Sequence, residues 1–228
     1  MRLTATHKES KLATVTASTP AQSSVLPGDD SARQRLIAAA AMVFSEHGFA
    51  GASIAAIAEA AAISKSTIFH HFASKQALYR AVIESAAQEF GRQLDSVLST
   101  RDDAMECLGR FQQQHLQHLH DKAPITRLVL RQIEDDGASE DCLALVRDVF
   151  APNFEKLANY LTDAQRVGML RSDMQPAAAA LVLVAANIFY FQHAQVLSQL
   201  PGMETVGGHA DYSLAVIDTV FKGLQVQA

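Results

Sequence analysis

Cysteine is scarce in this sequence, with Cys107 and Cys142 the only two among 228 residues. They lie far apart and form no Cys-x-x-Cys pair, which argues against a disulfide-stapled secreted fold and fits a reducing compartment. A redox-sensing role for either thiol stays open. The first residues carry Arg2, Lys8 and Lys11 without an apolar segment of signal-peptide length. We therefore expect a cytoplasmic protein.

Long hydrophobic runs are also missing. The most apolar stretch, residues 177–191, spans 15 residues and includes Asn187, whereas a helix that crosses a bilayer needs about 20. We expect this stretch to form a buried helix, and we expect no membrane partner.

Glycine and proline, the residues that interrupt regular structure, number only 11 and 6. No segment alternates apolar and polar residues with period two, so nothing predicts a β-strand. Ala, Leu and Gln are abundant and favour helix, and a hydrophobic content of 49% is ample for a packed core. These features predict an all-α fold of one large or two small domains.

The N-terminal residues predict a tail followed by a helix. Residues 1–30 are rich in small and polar residues without periodicity, so we expect a flexible tail. Ser31 is expected to cap the first helix, with Gln34 reaching back in a capping box. Gly48 is expected to end this helix in a left-handed conformation.

Three further serines mark helix starts. Ser53 and Ser64 each precede a short run of helical period, and Ser74 begins a longer helix that runs through Leu98. Short helices are unstable alone and must pack on the first helix, so these elements predict a helix-turn-helix module. Helical periodicity continues beyond it, with segments expected at residues 102–120, 125–136, 139–168 (kinked at Pro152), 177–200 and 210–222.

Charge is distributed unevenly along the chain. The formal net charge is −5, yet residues 31–80 hold five basic side chains against two acidic ones, which gives +3. The first 30 residues are neutral in sum, so the remainder carries −8. A basic N-terminal module on an acidic body is typical of a nucleic-acid binder with a separate regulatory domain.

The stretch SIAAIAEAAAISKSTIFHHFASKQAL, residues 53–78, resembles the helix-turn-helix of the TetR family of bacterial transcriptional regulators. The family's order of Ile-Ala, a small-residue turn with Ser, then Thr, an apolar residue, an aromatic residue, Phe and Lys is present without gaps. The preceding helix also matches. Residues 168–180 more weakly resemble a helix-to-helix connection that is common in the family's regulatory domains. The resemblance implies a DNA-binding domain at residues 31–80 and an effector-binding and dimerisation domain at residues 81–228.

Two residues depart from the family pattern. Ala62 stands where the family has a turn glycine, and a non-glycine residue in a left-handed turn costs roughly 1 kcal/mol. Phe69 stands where the family has Tyr, so it keeps a ring that can pack the short helix but lacks a hydroxyl that could reach phosphate. Neither departure removes the module.

The resemblance implies that the module docks on double-stranded operator DNA, chiefly through the helix that follows Ser64. The rings of Phe69 and Phe72 are expected to hold this helix in place. Ser53 and Lys75, at the starts of neighbouring helices, are expected to meet flanking phosphates. The predicted DNA-binding residues are Ser53, Lys65, Ser66, Thr67, Phe69, His70, His71 and Lys75.

Apolar side chains of the second domain can line a pocket between helices for an unknown, partly apolar small-molecule effector. The predicted lining is Phe111, His115, Val129, Ile133, Phe150, Phe154 and Phe189. The last two helices are more apolar than a monomer's surface helices should be, and the resemblance implies that two copies bury them in a homodimer. The predicted function is a repressor that an effector releases from operator DNA.

Two alternatives remain. His115 and His118, three residues apart on one helix face, could bind a metal together with His193, as in a metal hydrolase. The sequence offers no nucleophile–base motif, glycine-rich phosphate loop or carboxylate ligand beside them, so we expect no enzyme activity, metal or cofactor. A DNA-binding dimer that has no effector also stays open.

Overall fold

The structure, a computed structural model, describes residues 27–99 and 103–224, and all regular elements in those ranges are helical. The all-α prediction is therefore confirmed for the described residues. The predicted tail lies outside them except for residues 27–30. The helices are α1 (Pro27–Gly51), α2 (Ile54–Ala60), α3 (Lys65–His71), α4 (Lys75–Leu98), α5 (Ala104–Asp121), α6 (Ala123–Asp136), α7 (Glu140–Leu145), α8 (Ala151–Arg166), α9 (Pro176–Leu197) and α10 (His209–Leu224).

Helix α1 begins at Pro27, so the predicted cap and capping box at Ser31 were wrong. Proline is favourable at the first helical position because its fixed φ suits a helix and its missing N–H would have no partner there. Gly48 adopts a positive φ of 70° as predicted. The backbone kinks at this residue, however, and helical structure continues to Gly51 instead of ending.

The three serine caps beyond α1 are confirmed. The Oγ atom of Ser53 accepts a hydrogen bond from the Ala56 N–H at 3.0 Å. Ser64 accepts one from the Thr67 N–H at 3.1 Å, and Ser74 accepts one from the Ala77 N–H at 3.0 Å. Each bond satisfies one of the N–H groups that a helix start leaves without a partner.

Helices α1 to α4 enclose a hydrophobic core that continues into the following helices. Val129 of α6, Leu145 of α7 and Val149 belong to the same cluster of buried side chains. Helix α6 also packs directly on α1. The helix-turn-helix module is therefore not packed independently of the rest of the chain. Its largest buried side chains are Leu36, Phe44, Ile57, Ile68, Leu78 and Ile83.

The helix predicted at residues 139–168 is divided in the structure. A π-helical turn, Val146–Phe150, separates α7 from α8. Pro152 explains the division, because it has no N–H to donate and its ring would clash with the carbonyl four residues earlier. The wider turn, in which the Ala151 N–H bonds to the Val146 carbonyl, accommodates the ring at the start of α8.

Helix α9 is apolar on all sides but buried on only one, so the expectation of a buried helix holds for one face. The buried residues are Ala180, Leu183, Asn187, Tyr190 and Phe191. On another face Val182, Phe189 and Val196 follow one another at seven-residue intervals, with exposed fractions of 51%, 56% and 67%. With 22 residues, α9 is also long and apolar enough to cross a membrane, a test that core helices pass too.

Candidate nucleic-acid interface and ligand cavity

The turn between α2 and α3 determines how α3 projects from the module. The Ala62 N–H bonds to the Glu59 carbonyl and the Ile63 N–H to the Ala58 carbonyl, each at 3.0 Å, which is the Schellman pattern at a helix end. This pattern requires a positive φ after the helix, and Ala62 adopts 52°. Ala62 therefore takes the place of the expected glycine and carries backbone strain.

The start of α3 presents polar groups to solvent. The Oγ atom of Ser64 lies 2.7 Å from Ser66 Oγ and 2.8 Å from Thr67 Oγ1, so the three hydroxyls form one connected group. Of the predicted DNA-binding residues, the exposed ones are Ser53, Lys65, Ser66, Phe69 and His70, and the partly buried ones are Thr67, His71 and Lys75.

Ile68 and Phe72 hold α3 against the core. Ile68 is fully buried and Phe72 is 6% exposed. The guanidinium carbon of Arg33 lies 4.9 Å from the centre of the Phe72 ring. Phe69 does not share this role, since half of its surface is exposed. The expectation that Phe69 packs the helix was wrong, because Phe69 is not part of the buried cluster to which Ile68 and Phe72 belong.

Lys75 directs its ammonium group into the protein. Its Nζ atom donates to the carbonyls of Phe49 at 2.7 Å and Ala52 at 3.0 Å, and it lies 4.5 Å from the centre of the Phe49 ring. These carbonyls stand at the end of α1 and just after it. The structure therefore corrects the predicted phosphate contact, because the donors of Lys75 tie the start of α4 to the end of α1.

A cavity of about 230 Å³ lies between α4, α5, α6, α8 and α9. Its walls are mainly apolar, with polar groups contributed by His115, His118, Lys122, Thr126 and Asn153. The structure brings six of the seven predicted pocket residues to this cavity, namely Phe111, His115, Val129, Ile133, Phe150 and Phe154.

Phe189 does not reach the cavity. It lies on the exposed face of α9, and its ring centre is 4.7 Å from that of His193. Its prediction as a pocket residue was wrong, because apolar character alone does not tell which face of an apolar helix turns inward.

A buried hydrogen-bond network holds His115 at the cavity wall. Nε2 of Gln112 donates to Oδ1 of Asn187 at 2.7 Å, and Nδ2 of Asn187 donates to the Gln112 carbonyl at 2.9 Å. The same Nδ2 lies 3.1 Å from Nδ1 of His115. The imidazole also stacks on the Phe111 ring at 5.4 Å between centres.

Near the cavity the charge of Lys122 is balanced by that of Glu89, and two histidines are held in their neutral form. Lys122 Nζ lies 2.8 Å from Glu89 Oε2, and this hydrogen bond holds the pKa of Glu89 below its ordinary value. Burial, with a smaller effect of His118, lowers the pKa of His115 to about 3. Burial also lowers the pKa of His118. At neutral pH both imidazoles are therefore uncharged.

Residues 27–99 and 103–224 give no support to the alternative of a metal site. No three His, Cys, Asp or Glu side chains in these ranges gather in an arrangement that could hold a metal ion. Nδ1 of His115 is engaged by Asn187, and His193 packs on Phe189. Both cysteines are buried.

The sequence reasoning missed the polar partners of the cavity. Gln112, Asn187, Glu89 and Lys122 were not among the predicted site residues. Asn187 did carry a signal, since a single amide within an apolar run is costly to bury unless a neighbouring helix supplies a hydrogen-bond partner. The Glu89–Lys122 pair joins α4 to the junction between α5 and α6, and no local pattern reveals how these segments are placed relative to each other.

The region that contains the exposed α3 matches a known family. The family profile described as bacterial regulatory proteins, tetR family, matches residues 36–82. The HTH-type transcriptional regulator UidR of Escherichia coli (strain K12) is 28% identical over 156 residues, which cover 67% of this chain and 76% of UidR. The HTH-type transcriptional repressor AcnR of Corynebacterium efficiens is 38% identical over 66 residues, 28% of this chain and 35% of AcnR.

The fold is also similar well beyond that region. The transcriptional regulator FadR from Bacillus subtilis, in complex with stearoyl-CoA, has a TM-score of 0.69 at 15% identity. The similarity covers 83% of this chain and 98% of FadR. The resemblance predicted from the sequence is thereby confirmed, together with the helical architecture that it implied.

Proposed function

The chain belongs to the TetR family of bacterial helix-turn-helix transcriptional regulators, and we propose that it acts as a cytoplasmic, homodimeric repressor that a small-molecule effector releases from operator DNA. We further propose that it has no enzymatic activity. The observation that carries the proposal is the exposed polar start of α3, capped by Ser64 inside the region that matches the family.

The proposed DNA contacts centre on α3. Lys65 and His70 supply nitrogen donors, and Ser66 and Thr67 supply hydroxyls, which suit phosphate oxygens and base edges alike. Phe69 is half exposed and can make apolar contact with a thymine methyl group. Lys75 is left out of this set, since its ammonium holds α1 and α4 together.

The cavity and the module share helices, which supports a role for the cavity in regulation. Helix α4 lines the cavity with Ile83 and Phe90. The same helix begins with Lys75, whose ammonium group donates a hydrogen bond to a carbonyl at the end of α1. Helix α6 lines the cavity and packs on α1. A ligand that changes the spacing of α4 and α6 therefore changes the position of α3.

Polar bridges link the first half of α4 to the helices around the cavity. Tyr79 Oη donates to Gln132 Oε1 of α6 at 3.0 Å, and Arg80 bonds to Asp148 in the π turn at 2.9 Å. An effector shifts the two DNA-binding units only if it binds one spacing of these helices more tightly than the other. That FadR was crystallised with stearoyl-CoA supports a ligand site in this fold.

The exposed stripe of α9 supports dimer formation. Val182, Phe189 and Val196 lie on one face because seven residues make nearly two helical turns. Leu214 of α10 is also 53% exposed. A second copy that buries this stripe would pair two α3 helices for a near-palindromic operator, as the two half-sites of such DNA require.

The test is DNA binding by the purified full-length chain. The protein should bind the DNA upstream of its own gene more tightly than random duplex, with an affinity that falls steeply as salt rises. Lys65→Met should lower the slope of log affinity against log salt by about two per dimer, one charge for each subunit. Lys156→Met, on α8, is the matched control and should leave that slope unchanged. A folded dimer with no preference over random DNA would rule out the specific repressor.

A further inference from the structure

The size, the charges and the polar groups of the cavity indicate which kind of ligand it can hold. We propose that it takes a compact, uncharged, largely apolar molecule with a single hydrogen-bond acceptor, of the class of aromatic ketones, and that Nε2 of His115 donates to this acceptor. The inference rests on the effector site proposed above and specifies the chemistry of its ligand.

Size limits the ligand to a compact molecule. The cavity volume is about 230 Å³, which is below the roughly 300–1,000 Å³ of typical small-molecule sites. At close packing an organic molecule occupies roughly 20 Å³ for each non-hydrogen atom, so the cavity holds about ten of them. The walls that meet such a molecule are aromatic and aliphatic, including Phe90, Phe111, Phe154 and Val184.

The donor follows from the direction of the buried hydrogen bonds. A backbone carbonyl can only accept, so the Asn187 atom that faces the Gln112 carbonyl must be the amide nitrogen Nδ2. Nδ2 therefore also donates to Nδ1 of His115. A neutral imidazole that accepts at Nδ1 carries its proton on Nε2. In the described part of the chain no hydrogen bond is made by Nε2, which leaves this N–H for a ligand in the cavity that His115 lines.

Charge excludes carboxylates and phosphates. The Lys122 ammonium is paired with Glu89, so the described residues that line the cavity offer no unbalanced cation. His118, the other imidazole at the wall, faces both members of that pair and is uncharged at neutral pH. A buried anion would meet neutral donors such as the His115 N–H and an ammonium that is already paired with Glu89, and an ion buried without a counter-charge of its own is strongly disfavoured.

Three probes of matched size and shape test the proposal. Acetophenone carries one neutral acceptor, cumene replaces the carbonyl by an apolar branch, and benzoate replaces it by an anion. Ligand-detected NMR titrations of the full-length protein at neutral pH give the dissociation constant of each. We expect benzoate to bind at least about a hundredfold more weakly than acetophenone. This comparison needs no variant.

His115→Phe tests the donor, because it keeps an aromatic ring at the wall but removes the N–H. The ratio of the acetophenone to the cumene dissociation constant should rise about tenfold in this variant. Val184→Phe, which fills the cavity without touching the donor, should weaken both probes equally. His115→Leu replaces His115→Phe if the latter does not fold.

The proposal is wrong if benzoate binds as tightly as acetophenone, if the ratio is the same in the wild type and the His115 variant, or if none of the probes binds. Operator binding is measured in the same samples. If acetophenone binds with the expected selectivity but does not alter affinity for the operator, the ligand class stands and effector-controlled release fails.

Discussion

Acid should destabilise this protein through His115, and the size of the effect can be worked out from its burial. The pKa of His115 is about 3 in the folded chain against an ordinary value of 6.5. Between these values the unfolded chain binds a proton that the folded chain does not, so stability falls as the pH falls below 6.5. The stability that depends on the neutral form of His115 is fully present above pH 6.5 and is lost towards pH 3.

A pH of 5 lies about 1.5 units below the ordinary pKa of 6.5. At this pH the free energy of unfolding is therefore lower by about 2 kcal/mol. The folded protein resists protonation of this imidazole because the ring is buried, its Nδ1 accepts from Asn187 and His118 stands nearby. For a chain of this length 2 kcal/mol lowers the melting temperature by about 4–8 °C.

The assay is urea unfolding followed by circular dichroism at pH 7.5 and pH 5, at one fixed protein concentration. Wild type contains other groups that titrate in this range, so His115→Phe is measured alongside it. The variant starts from a lower stability because an Asn187 hydrogen is left without a partner. Wild type should lose about 2 kcal/mol more than the variant between the two pH values. Equal losses would refute the argument that His115 is buried as the neutral imidazole.

Three further results are expected. Ala62→Gly should raise the free energy of unfolding by about 0.5–1 kcal/mol by relieving the positive φ, whereas Ala61→Gly next to it should lower it; a destabilised Ala62→Gly would contradict the strain at this turn. Lys75→Met should cost about 2 kcal/mol of stability, while Lys65→Met should leave stability unchanged and weaken DNA binding; the reverse pattern would restore Lys75 as a phosphate contact. Phe189→Glu should convert the dimer to a monomer in light scattering and reduce operator affinity, and a variant that remains dimeric would place the interface elsewhere.

Local signals in the sequence were sufficient for the helix-turn-helix module. A capping serine makes its hydrogen bond within three residues, so Ser53, Ser64 and Ser74 could be assigned without any tertiary information. Ala62 was identified differently, from the family resemblance, which places a turn glycine at this position. Both ends of α1 were exceptions among the local features. An unperiodic polar segment does not reveal that a helix extends into it, and a glycine with positive φ does not by itself end helical structure.

The direction in which a side chain points was harder to predict. Lys75 stands where a phosphate contact was expected, but the carbonyls at the end of α1 come within its reach only once α1 and α4 are packed together. Phe189 is apolar on an apolar helix, and its environment depends on which neighbours cover α9. In both cases the residue type was a useful guide, but the direction of the side chain could not be predicted from it.

The sequence alone therefore determined the helical fold, the serine-capped helix-turn-helix module and six of the residues around the cavity, because each follows from short-range hydrogen bonding or from helical periodicity. Only the tertiary structure decided the role of Lys75, the exposed stripe of α9 and the pairing of Lys122 with Glu89. It also decided the protonation of His115, which depends on the amide of Asn187 from a helix distant in the chain. Contacts between distant segments form when helices pack, and no local pattern encodes which atoms then meet.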